Sequence, residues 1–300
     1  MAQSSATPDI LCIGSVLWDI IGHTDTPLPL GADVPGRITR LPGGVAMNIA
    51  MTLVQNGLRP ALLTAIGRDR AGRDLLAECR RIGLITDHIH RPDHLPTDSY
   101  LAIEGANGLI AAVADANSLE AAGDKILAPL ADGRLGSALA PWAGLIALDG
   151  NLTEALLAGI ARSPLFARAD LRVAPASPGK AERLLPLLRH PRATLYLNLE
   201  EAGLLCRTRF AGAAEAAAAL IARGARRVLV TDGGKASADA TAACVVTRQP
   251  PEVRVARVTG AGDTFMAAHI AAERSGANRG TALACAQQAA ADYISGDIGS

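Results

Sequence analysis

The stretch from Val258 to His269 combines glycines that can hold an anion with a carboxylate that can accept a proton. Gly260 and Gly262 have no Cβ, so the backbone can turn tightly there and expose its N–H groups. The alanine-rich residues that follow predict a helix, whose first turn adds unpaired donors. Asp263, at or just inside the helix start, could take a proton from a substrate hydroxyl while the turn holds the phosphoryl group under attack. Asp is also a favoured helix cap, so these residues alone leave a purely structural role open.

A second polar group, Asn198-Leu199-Glu200-Glu201, follows a predicted strand and opens a predicted helix. Carboxylates at a helix start are favoured by the helix dipole, which gives a structural interpretation. The functional interpretation places Asn198 and Glu201 near a magnesium ion, because Mg²⁺ keeps several waters and takes few protein ligands.

A third group, Thr231-Asp232-Gly233-Gly234-Lys235, also follows a predicted strand. Its glycines fit a plain turn between two strands. They would also let the backbone pass close to nucleotide phosphates, with the hydroxyl of Thr231 as a donor.

Two single polar residues, Asp19 and Asn48, each lie just past a predicted strand or a glycine break in an otherwise apolar stretch. A polar side chain in such a place needs a partner. That partner is either internal or a hydroxyl group of a bound sugar.

The elements that must position these residues alternate between strand and helix. Strands are predicted at residues 10–14, 61–66, 145–148, 171–174, 194–197, 227–231, 236–239 and 243–247, and helices at 45–56, 73–81, 153–162, 179–188, 200–206, 213–223, 262–274 and 279–294. This alternation predicts a parallel sheet covered on both faces, with ligands at the carboxyl ends of its strands. Two β-rich runs at 99–104 and 109–115, joined through Asn107-Gly108, predict a hairpin in a small separate sheet.

The composition excludes several classes of function. The formal net charge is zero, which argues against a general nucleic-acid or membrane-surface binder. The five cysteines form no C-x-x-C pair, which is typical of isolated thiols in a reducing compartment. No apolar run reaches the ~18 residues of a membrane span. The polar start from Met1 to Asp9 lacks a secretory signal. We therefore expect a soluble, cytoplasmic protein. His88, His90 and His94 lie in a loop-like segment without metal-ligand spacing, and no P-loop is present.

Together, in this order and over nearly the whole chain, these motifs resemble the PfkB, or ribokinase-like, family of carbohydrate and nucleoside kinases. The resemblance is carried by Gly14, Asp19, Gly43-Gly44-x-x-x-Asn48-x-Ala50, Asn198-x-x-Glu201, Thr231-x-Gly233-Gly234 and Gly260-Ala261-Gly262-Asp263. It implies an α/β fold, with a mostly parallel sheet, helices on both faces and a small β lid over the sugar site that often makes dimer contacts. It also implies ATP, Mg²⁺ and transfer of the γ-phosphoryl group to a sugar hydroxymethyl.

The resemblance assigns roles by motif match. Asp263 would be the base, and the anion hole would be formed by Gly260, Ala261 and Gly262. The sugar would be bound by Asp19, Gly43, Gly44 and Asn48. The metal and the phosphates would lie at Asn198 and Glu201, with Glu201 as metal ligand, and the nucleotide would lie along Thr231, Gly233 and Gly234.

Within this family the chain is most similar to pseudouridine kinases. The similarity rests on residues 35–37, 96–103, 112–117 and 148–152. On this resemblance, Thr97, Ser99, Asp115 and Asn117 offer donors and acceptors to a uracil-like base. The chain would be a single domain, 1–300, with lid segments at about 16–42 and 97–117, and a homodimer through the lid.

Two positions depart from the family pattern. Arg257 stands where many ribokinases have an Asp that binds a monovalent cation, which puts a potassium requirement in question. Ala174 stands where relatives often have Asp, so a carboxylate on the phosphate side is missing. Alternatives to a pseudouridine kinase are a kinase of ribose, adenosine or fructose, and a non-catalytic nucleoside-binding regulator.

Overall fold

A computed structural model of the chain describes residues 7–29, 31–256 and 259–296. Arg257 and Val258, discussed above, lie outside these ranges. The described strands are β1 (Ile10–Ile13), β2 (Leu17–His23), β3 (Arg37–Gly43), β4 (Pro60–Leu63), β5 (Ser99–Gly105), β6 (Gly108–Asp115), β7 (Leu145–Asp149), β8 (Asp170–Ala174), β9 (Ala193–Asn198), β10 (Arg227–Asp232), β11 (Lys235–Thr241) and β12 (Val245–Arg248). The described α-helices are α1 (Val45–Gln55), α2 (Arg70–Ile82), α3 (Asn117–Ala122), α4 (Glu154–Arg162), α5 (Leu199–Cys206), α6 (Ala213–Ala222), α7 (Ala261–Arg274) and α8 (Arg279–Ser295).

The central sheet is mostly parallel, as predicted. Within the described residues it has eight strands in the order β12-β11-β10-β9-β8-β7-β1-β4. The six strands from β10 to β4 run parallel, and β11 and β12 extend one edge antiparallel. Parallel neighbours need long crossover connections, which the intervening helices provide.

Helices cover both faces of this sheet, which confirms the predicted fold class. In β1, Leu11 and Ile13 belong to a core shared with α4, α5 and α6. Ile10 and Cys12 belong to a second core, shared with α1, α7 and α8. Successive side chains of a strand point to opposite faces, so a strand buried on both sides must be apolar throughout.

The clearest difference from the predicted elements lies after β8. A 3-10 helix runs from Pro178 to Leu187, where the sequence predicted an α-helix. Pro186 lies inside this segment and has no N–H, so it cannot donate the hydrogen bond of a regular α-helix. A 3-10 helix from Gly123 to Leu130 and the short α3 before it were not predicted, because Pro129 and the small residues there give no helical period.

A second, smaller sheet is built from the two segments that the sequence assigned to a lid. Its order is β3-β2-β5-β6. The β5–β6 hairpin is antiparallel, as the Asn107-Gly108 pair predicted, and β2 runs parallel to β5.

The two faces of the small sheet have different chemistry. Asp19 lies beside Tyr100, which lies beside Ala114, so these three side chains share the face toward the central sheet's cavity. The opposite face, called here the outer face, carries Ile20, Ile38, Leu101, Ile103 and Val113. Ile38 and Val113 are 78% and 64% exposed.

The strand order changes direction at β1. From β1 the sheet grows through β4 on one side and through β7, β8, β9 and β10 on the other. The crevice at the carboxyl ends of β1 and β7 is therefore a topological switch point, where α/β sheets bind their ligands.

None of the described helices has both the length and the apolarity needed to cross a membrane. The same part of the chain contains no cluster of three or more His, Cys, Asp or Glu side chains suited to a metal ion. The histidines between residues 88 and 94 accordingly form no such cluster.

Candidate active site

A cavity of about 570 Å³ opens at the switch point. It brings together nine of the predicted site residues, which lie on six different strands and helices or are the glycines just before α1 and α7. They are Asp19, Gly44, Asn48, Asn198, Glu201, Thr231, Gly260, Gly262 and Asp263.

Asp263 lies in the first turn of α7, as predicted. Gly260 precedes the helix with a φ of 90°, a left-handed conformation that favours glycine. The side chain of Asp263 is partly buried, and its Oδ2 accepts a hydrogen bond from Nδ2 of Asn48 at 2.9 Å. Because α1 packs against α7, the first turns of the two helices meet at this contact.

The surroundings of Asp263 raise its pKa to about 7. Burial is the main cause, and the charges of Asp149, Glu201 and Asp19 act in the same direction. The hydrogen bond from Asn48 opposes them. A carboxylate with a pKa near neutrality is suited to accept a proton at physiological pH.

Asp19 reaches the cavity from β2, and the two glycines before α1 make room for it and for the neighbouring turn. A Cβ on Gly43 would lie 2.0 Å from Oδ2 of Asp19, and a Cβ on Gly44 would lie 2.5 Å from the carbonyl oxygen of Ser15. Burial raises the pKa of Asp19 to about 6. Gly43 thus supports the side chain of Asp19 and is not itself among the residues that line the cavity.

Asn198 and Glu201 form a capping box at the start of α5. The Oδ1 of Asn198 accepts from the N–H of Glu201 at 2.8 Å, and Oε2 of Glu201 accepts from the N–H of Asn198 at 2.8 Å. The structural interpretation of this motif is therefore correct, and both residues also line the cavity. Burial, opposed by the Asn198 hydrogen bond and assisted by Glu200, raises the pKa of Glu201 to about 7.

Four side chains predicted to contact a base, those of Thr97, Ser99, Asp115 and Asn117, are not among the residues that line the cavity. Thr97 donates through Oγ1 to Oδ1 of Asp69 at 2.6 Å, and Asn117 donates through Nδ2 to Oδ1 of Asp115 at 2.9 Å. Ser99 pairs with Asp115 one position before Tyr100, so strand alternation turns it away and brings Tyr100 and Ala114 to the cavity.

Three more predicted positions lie beside the cavity but not on its wall. Gly233 and Gly234 form the exposed turn between β10 and β11, and Ala261 is the residue between Gly260 and Gly262, which do line the cavity. Ala174, where relatives often carry Asp, does line the cavity and leaves it without that carboxylate.

Sequence reasoning missed a polar network under the acceptor side of the cavity. Asp149, 0% exposed at the end of β7, accepts from the N–H and Oγ of Ser15, from the N–H of Ala46 and from the N–H of Asn151, at 2.7, 2.9, 3.1 and 2.7 Å. It therefore joins the end of β1, the start of α1 and the loop after β7. An acidic residue that ends an apolar strand, as in Leu148-Asp149-Gly150, was the available signal.

The same network reaches a lysine that the sequence analysis did not single out. Asn151 donates through Nδ2 to Oγ of Ser15 at 2.8 Å, and Lys180 donates through Nζ to Oδ1 of Asn151 at 2.6 Å. Ser15, Asn151 and Lys180 all line the cavity.

This arrangement can support proton abstraction beside an anion site. The carboxyl group of Asp263 has a pKa of about 7. The backbone at Gly260 and Gly262 forms the start of α7 and lines the same cavity. Helix starts bind phosphate groups through unpaired N–H donors and the helix dipole.

The chain was compared with protein families, known proteins and solved structures. The model for the pfkB family carbohydrate kinases matches residues 7–295. A pseudouridine kinase from Escherichia coli (strain K12) is 30% identical over 271 residues, which cover 86% of this chain and 81% of that protein.

Two solved structures show the same fold over nearly the whole chain. A carbohydrate kinase from Agrobacterium tumefaciens has a TM-score of 0.79 and 26% identity, covering 97% of this chain and 94% of that chain. An Arabidopsis thaliana ribokinase complexed with ribose and ATP has a TM-score of 0.76 at 19% identity, covering 96% of this chain and 93% of that chain, and this likeness shows the fold alone. The family match over residues 7–295 and the sheet and site described above lead to one conclusion: the chain belongs to the pfkB family of carbohydrate kinases, phosphotransferases that act on an alcohol group.

Proposed function

We propose that this kinase transfers the γ-phosphoryl group of ATP to the 5′-hydroxyl of pseudouridine, with Asp263 as the general base. The observation that carries the proposal is the contact of Asp263 with Asn48 in a cavity that also contains Asp19. The 30% identity to the Escherichia coli pseudouridine kinase supports the choice of acceptor.

In the proposed reaction, Asp263 takes the proton of the 5′-hydroxyl as the hydroxyl oxygen bonds to the γ-phosphorus. The bond between that phosphorus and the bridging oxygen breaks, and ADP leaves with the electron pair. The N–H groups at Gly260 to Gly262 stabilise the charge on the transferred group, because a helix start offers unpaired N–H donors and the positive end of the helix dipole. In phosphoryl transfer, such positioning and charge stabilisation account for most of the rate enhancement.

The residues present fit a magnesium ion on the nucleotide side. Glu201 is only 7% exposed, and one of its oxygens is held by Asn198, so its carboxylate is fixed on the cavity wall. Glu201, with Asn198 beside it, would hold the ion through waters, in keeping with the few protein ligands that Mg²⁺ takes. When bound, Mg²⁺ neutralises charge on the ATP phosphates. Thr231 at the end of β10 and the turn at Gly233 and Gly234 would lie along the nucleotide.

The acceptor site is polar where a ribosyl group would lie. Asp19 and Asn48 can accept from and donate to sugar hydroxyls, and Gly44 leaves the start of α1 open beside them. These contacts explain a ribosyl substrate, whereas the preference for its base rests on the similarity to the pseudouridine kinase. A site built to bond polar groups can reject analogues that lack them by up to ~10⁴-fold.

The small sheet would act as a lid over the acceptor within a single kinase domain. Closing it would exclude water, which competes for the phosphoryl group. We further propose that its outer face makes a homodimer contact, because five large apolar side chains lie on that face (Ile20, Ile38, Leu101, Ile103 and Val113). A cytoplasmic location belongs to the same proposal.

The test is a measurement of kcat/KM for pseudouridine, uridine, adenosine, ribose and fructose with Mg-ATP, following ADP release. We expect pseudouridine to be the best of the five, with the phosphate on its 5′-oxygen by ³¹P NMR. If ribose, adenosine or fructose is clearly the best acceptor, the pseudouridine assignment is wrong and the kinase assignment stands. If no acceptor raises ADP release, a nucleoside-binding regulator becomes the better description.

A further inference from the structure

Lys180 is the one basic side chain among the described residues that line the cavity. Three carboxylates, those of Asp19, Glu201 and Asp263, share the same cavity. None of the roles described above for base, anion hole, sugar contacts or metal site uses this ammonium group.

The position of Lys180 is set by a chain of hydrogen bonds rather than by an ion pair. Its Nζ donates to Asn151 at 2.6 Å, Asn151 donates to Ser15 at 2.8 Å, and both Asn151 and Ser15 bond to the fully buried Asp149. The ammonium is thereby fixed at the end of β7, next to the turn that leads into β2 and its Asp19.

This tether places the ammonium on the acceptor side of the cavity. Asn198 and Thr231 end β9 and β10, which lie two and three strands from β7 in the sheet. Adjacent strands are about 4.8 Å apart, so the end of β7 lies roughly 10 Å from the end of β9 and roughly 14 Å from the end of β10. Those distances exceed the reach of one hydrogen bond to a phosphate held there.

The ammonium retains capacity for a ligand. An ammonium has three N–H donors, and in the part of the chain that the structure describes one of them is used, by Asn151. Ser177, three residues earlier, lines the same wall and adds a hydroxyl group.

We propose that Lys180 determines acceptor specificity by donating a hydrogen bond to a carbonyl oxygen of the nucleoside base. The proposal rests on the proposed function, since it requires a nucleoside acceptor. The ligand class is a ribosyl compound whose base carries a carbonyl oxygen, which includes both uridine and pseudouridine. Asn151 is a positioning residue, because it orients the ammonium without needing to touch the base.

The test is isothermal titration calorimetry with wild type, Lys180→Met and the control Lys125→Met. Acceptors are titrated in the absence of ATP, and a non-hydrolysable ATP analogue is titrated separately. Lys125 is exposed on the 3-10 helix after α3, outside the cavity wall. A hydrogen bond to a charged group is typically worth enough to change affinity about 10- to 100-fold. We expect Lys180→Met to weaken pseudouridine and uridine binding by about that factor, with ribose binding unchanged. Lys125→Met should bind all three like wild type, and equal melting temperatures would show that each variant is folded.

Each other outcome has a definite meaning. If Lys180→Met binds pseudouridine as tightly as wild type, or weakens ribose and pseudouridine equally, Lys180 does not contact the base. If it weakens only a non-hydrolysable ATP analogue, Lys180 serves the phosphoryl group and the assignment is overturned. If wild type binds ribose but neither nucleoside, the proposed function fails, and this assignment fails with it.

Discussion

Three carboxyl groups of one cavity, those of Asp263, Glu201 and Asp19, have pKa values raised to about 7, 7 and 6. Burial is the main cause in each, and the charges of Glu201 and Asp19 raise the pKa of Asp263 further. In the free enzyme these carboxyl groups are therefore only partly ionised near neutral pH, and full ionisation of the site requires a higher pH. Binding of a cation or a hydrogen-bond donor in this cavity would favour the ionised forms.

The first prediction concerns Asp263 itself. Asp263→Asn should fold normally and lose ~10²–10⁴-fold in kcat, because an amide cannot accept the proton and general-base assistance has that magnitude. Steady-state ADP release measures the loss, and circular dichroism checks the fold. A folded variant with the wild-type kcat would show that Asp263 is not the base.

The second prediction concerns the pH dependence of the same residue. Only ionised Asp263 accepts a proton, so kcat/KM should fall as the pH drops below about 7. The hydrogen bond from Asn48 lowers the pKa of Asp263, so Asn48→Ala should raise that pKa and move the acidic limb to higher pH. Asp149, Glu201 and Asp19 also face Asp263, and they are unchanged in this variant.

A pH profile of kcat/KM for wild type, Asn48→Ala and Asn56→Ala measures this shift. Asn56 caps the far end of α1 and donates to Thr52, so its variant serves as a control. An acidic limb of Asn48→Ala at or below the wild-type position would contradict the assigned contact.

At the scale of elements, α7 is held at both ends. Its first turn carries Asp263, and Glu273 near its last turn forms ion pairs with Arg172 of β8 and Arg227 of β10. Between them His269 is fully buried and bonds to the hydroxyl of Tyr196 at 2.9 Å, and burial lowers the pKa of His269 to about 4, which keeps it neutral. The register of α7 on the sheet, and so the position of Asp263, depends on this network.

The third prediction tests the network. Glu273→Gln leaves two partly buried arginines without a shared carboxylate and should lower the free energy of unfolding by about 3 kcal/mol. Burial alone would raise the pKa of Glu273, but the charges of Arg172 and Arg227 outweigh it and lower that pKa. The stabilisation is therefore present above the ordinary pKa of 4.5 and is lost as the pH falls through the lower, folded-state pKa.

Urea unfolding of wild type, Glu273→Gln and the exposed control Glu252→Gln at pH 7 and pH 3.5 measures these free energies. We expect the difference between wild type and Glu273→Gln to shrink at the lower pH. A difference below about 0.5 kcal/mol at pH 7, the usual range of surface substitutions, would contradict the anchoring role.

The fourth prediction concerns the small sheet. Its two edge strands, β3 and β6, are mostly exposed, so their amides should exchange quickly in the free protein. Saturating pseudouridine should slow exchange in β2, β5 and β6 if the sheet closes over the acceptor. Peptides from β11 and β12, at the far edge of the central sheet, provide the internal control. Unchanged exchange in the small sheet at saturation would count against a lid.

Across the whole molecule, the sequence predicted the fold well because strand–helix alternation, apolar runs and glycine turns are local signals. Most of the residues that line the cavity could also be predicted, because polar residues that follow neighbouring parallel strands lie at the same edge of the sheet. Prediction from the sequence failed where three-dimensional context decides. The face on which Ser99 or Tyr100 lies depends on register. The contact of Lys180 with Asn151 depends on the 3-10 helix that carries Lys180, where the sequence predicted an α-helix.

The fifth prediction belongs to the assembly. If the outer face of the small sheet joins two copies, sedimentation equilibrium should give a dimer for wild type. Val113→Glu should give a monomer, because it puts a charge into an apolar contact. Leu139→Glu, at a position 98% exposed and outside the small sheet, is a matched control that should stay dimeric. A monomeric wild type would contradict the proposed contact.

The strand order also has a consequence for the chain as it is being synthesised. β1 is made first but lies between β4 and β7, so one of its edges stays unpaired until residue 149 has left the ribosome. Such an edge can pair with other chains, so the nascent protein is exposed to wrong strand pairing until β7 has been made. Asp149 can then make its hydrogen bonds to the turn after β1 and to the start of α1, on the acceptor side of the site. The helix α7, which carries Asp263, is synthesised more than a hundred residues later. A growing chain can therefore assemble the acceptor side of its site long before it carries the group that we propose as the base.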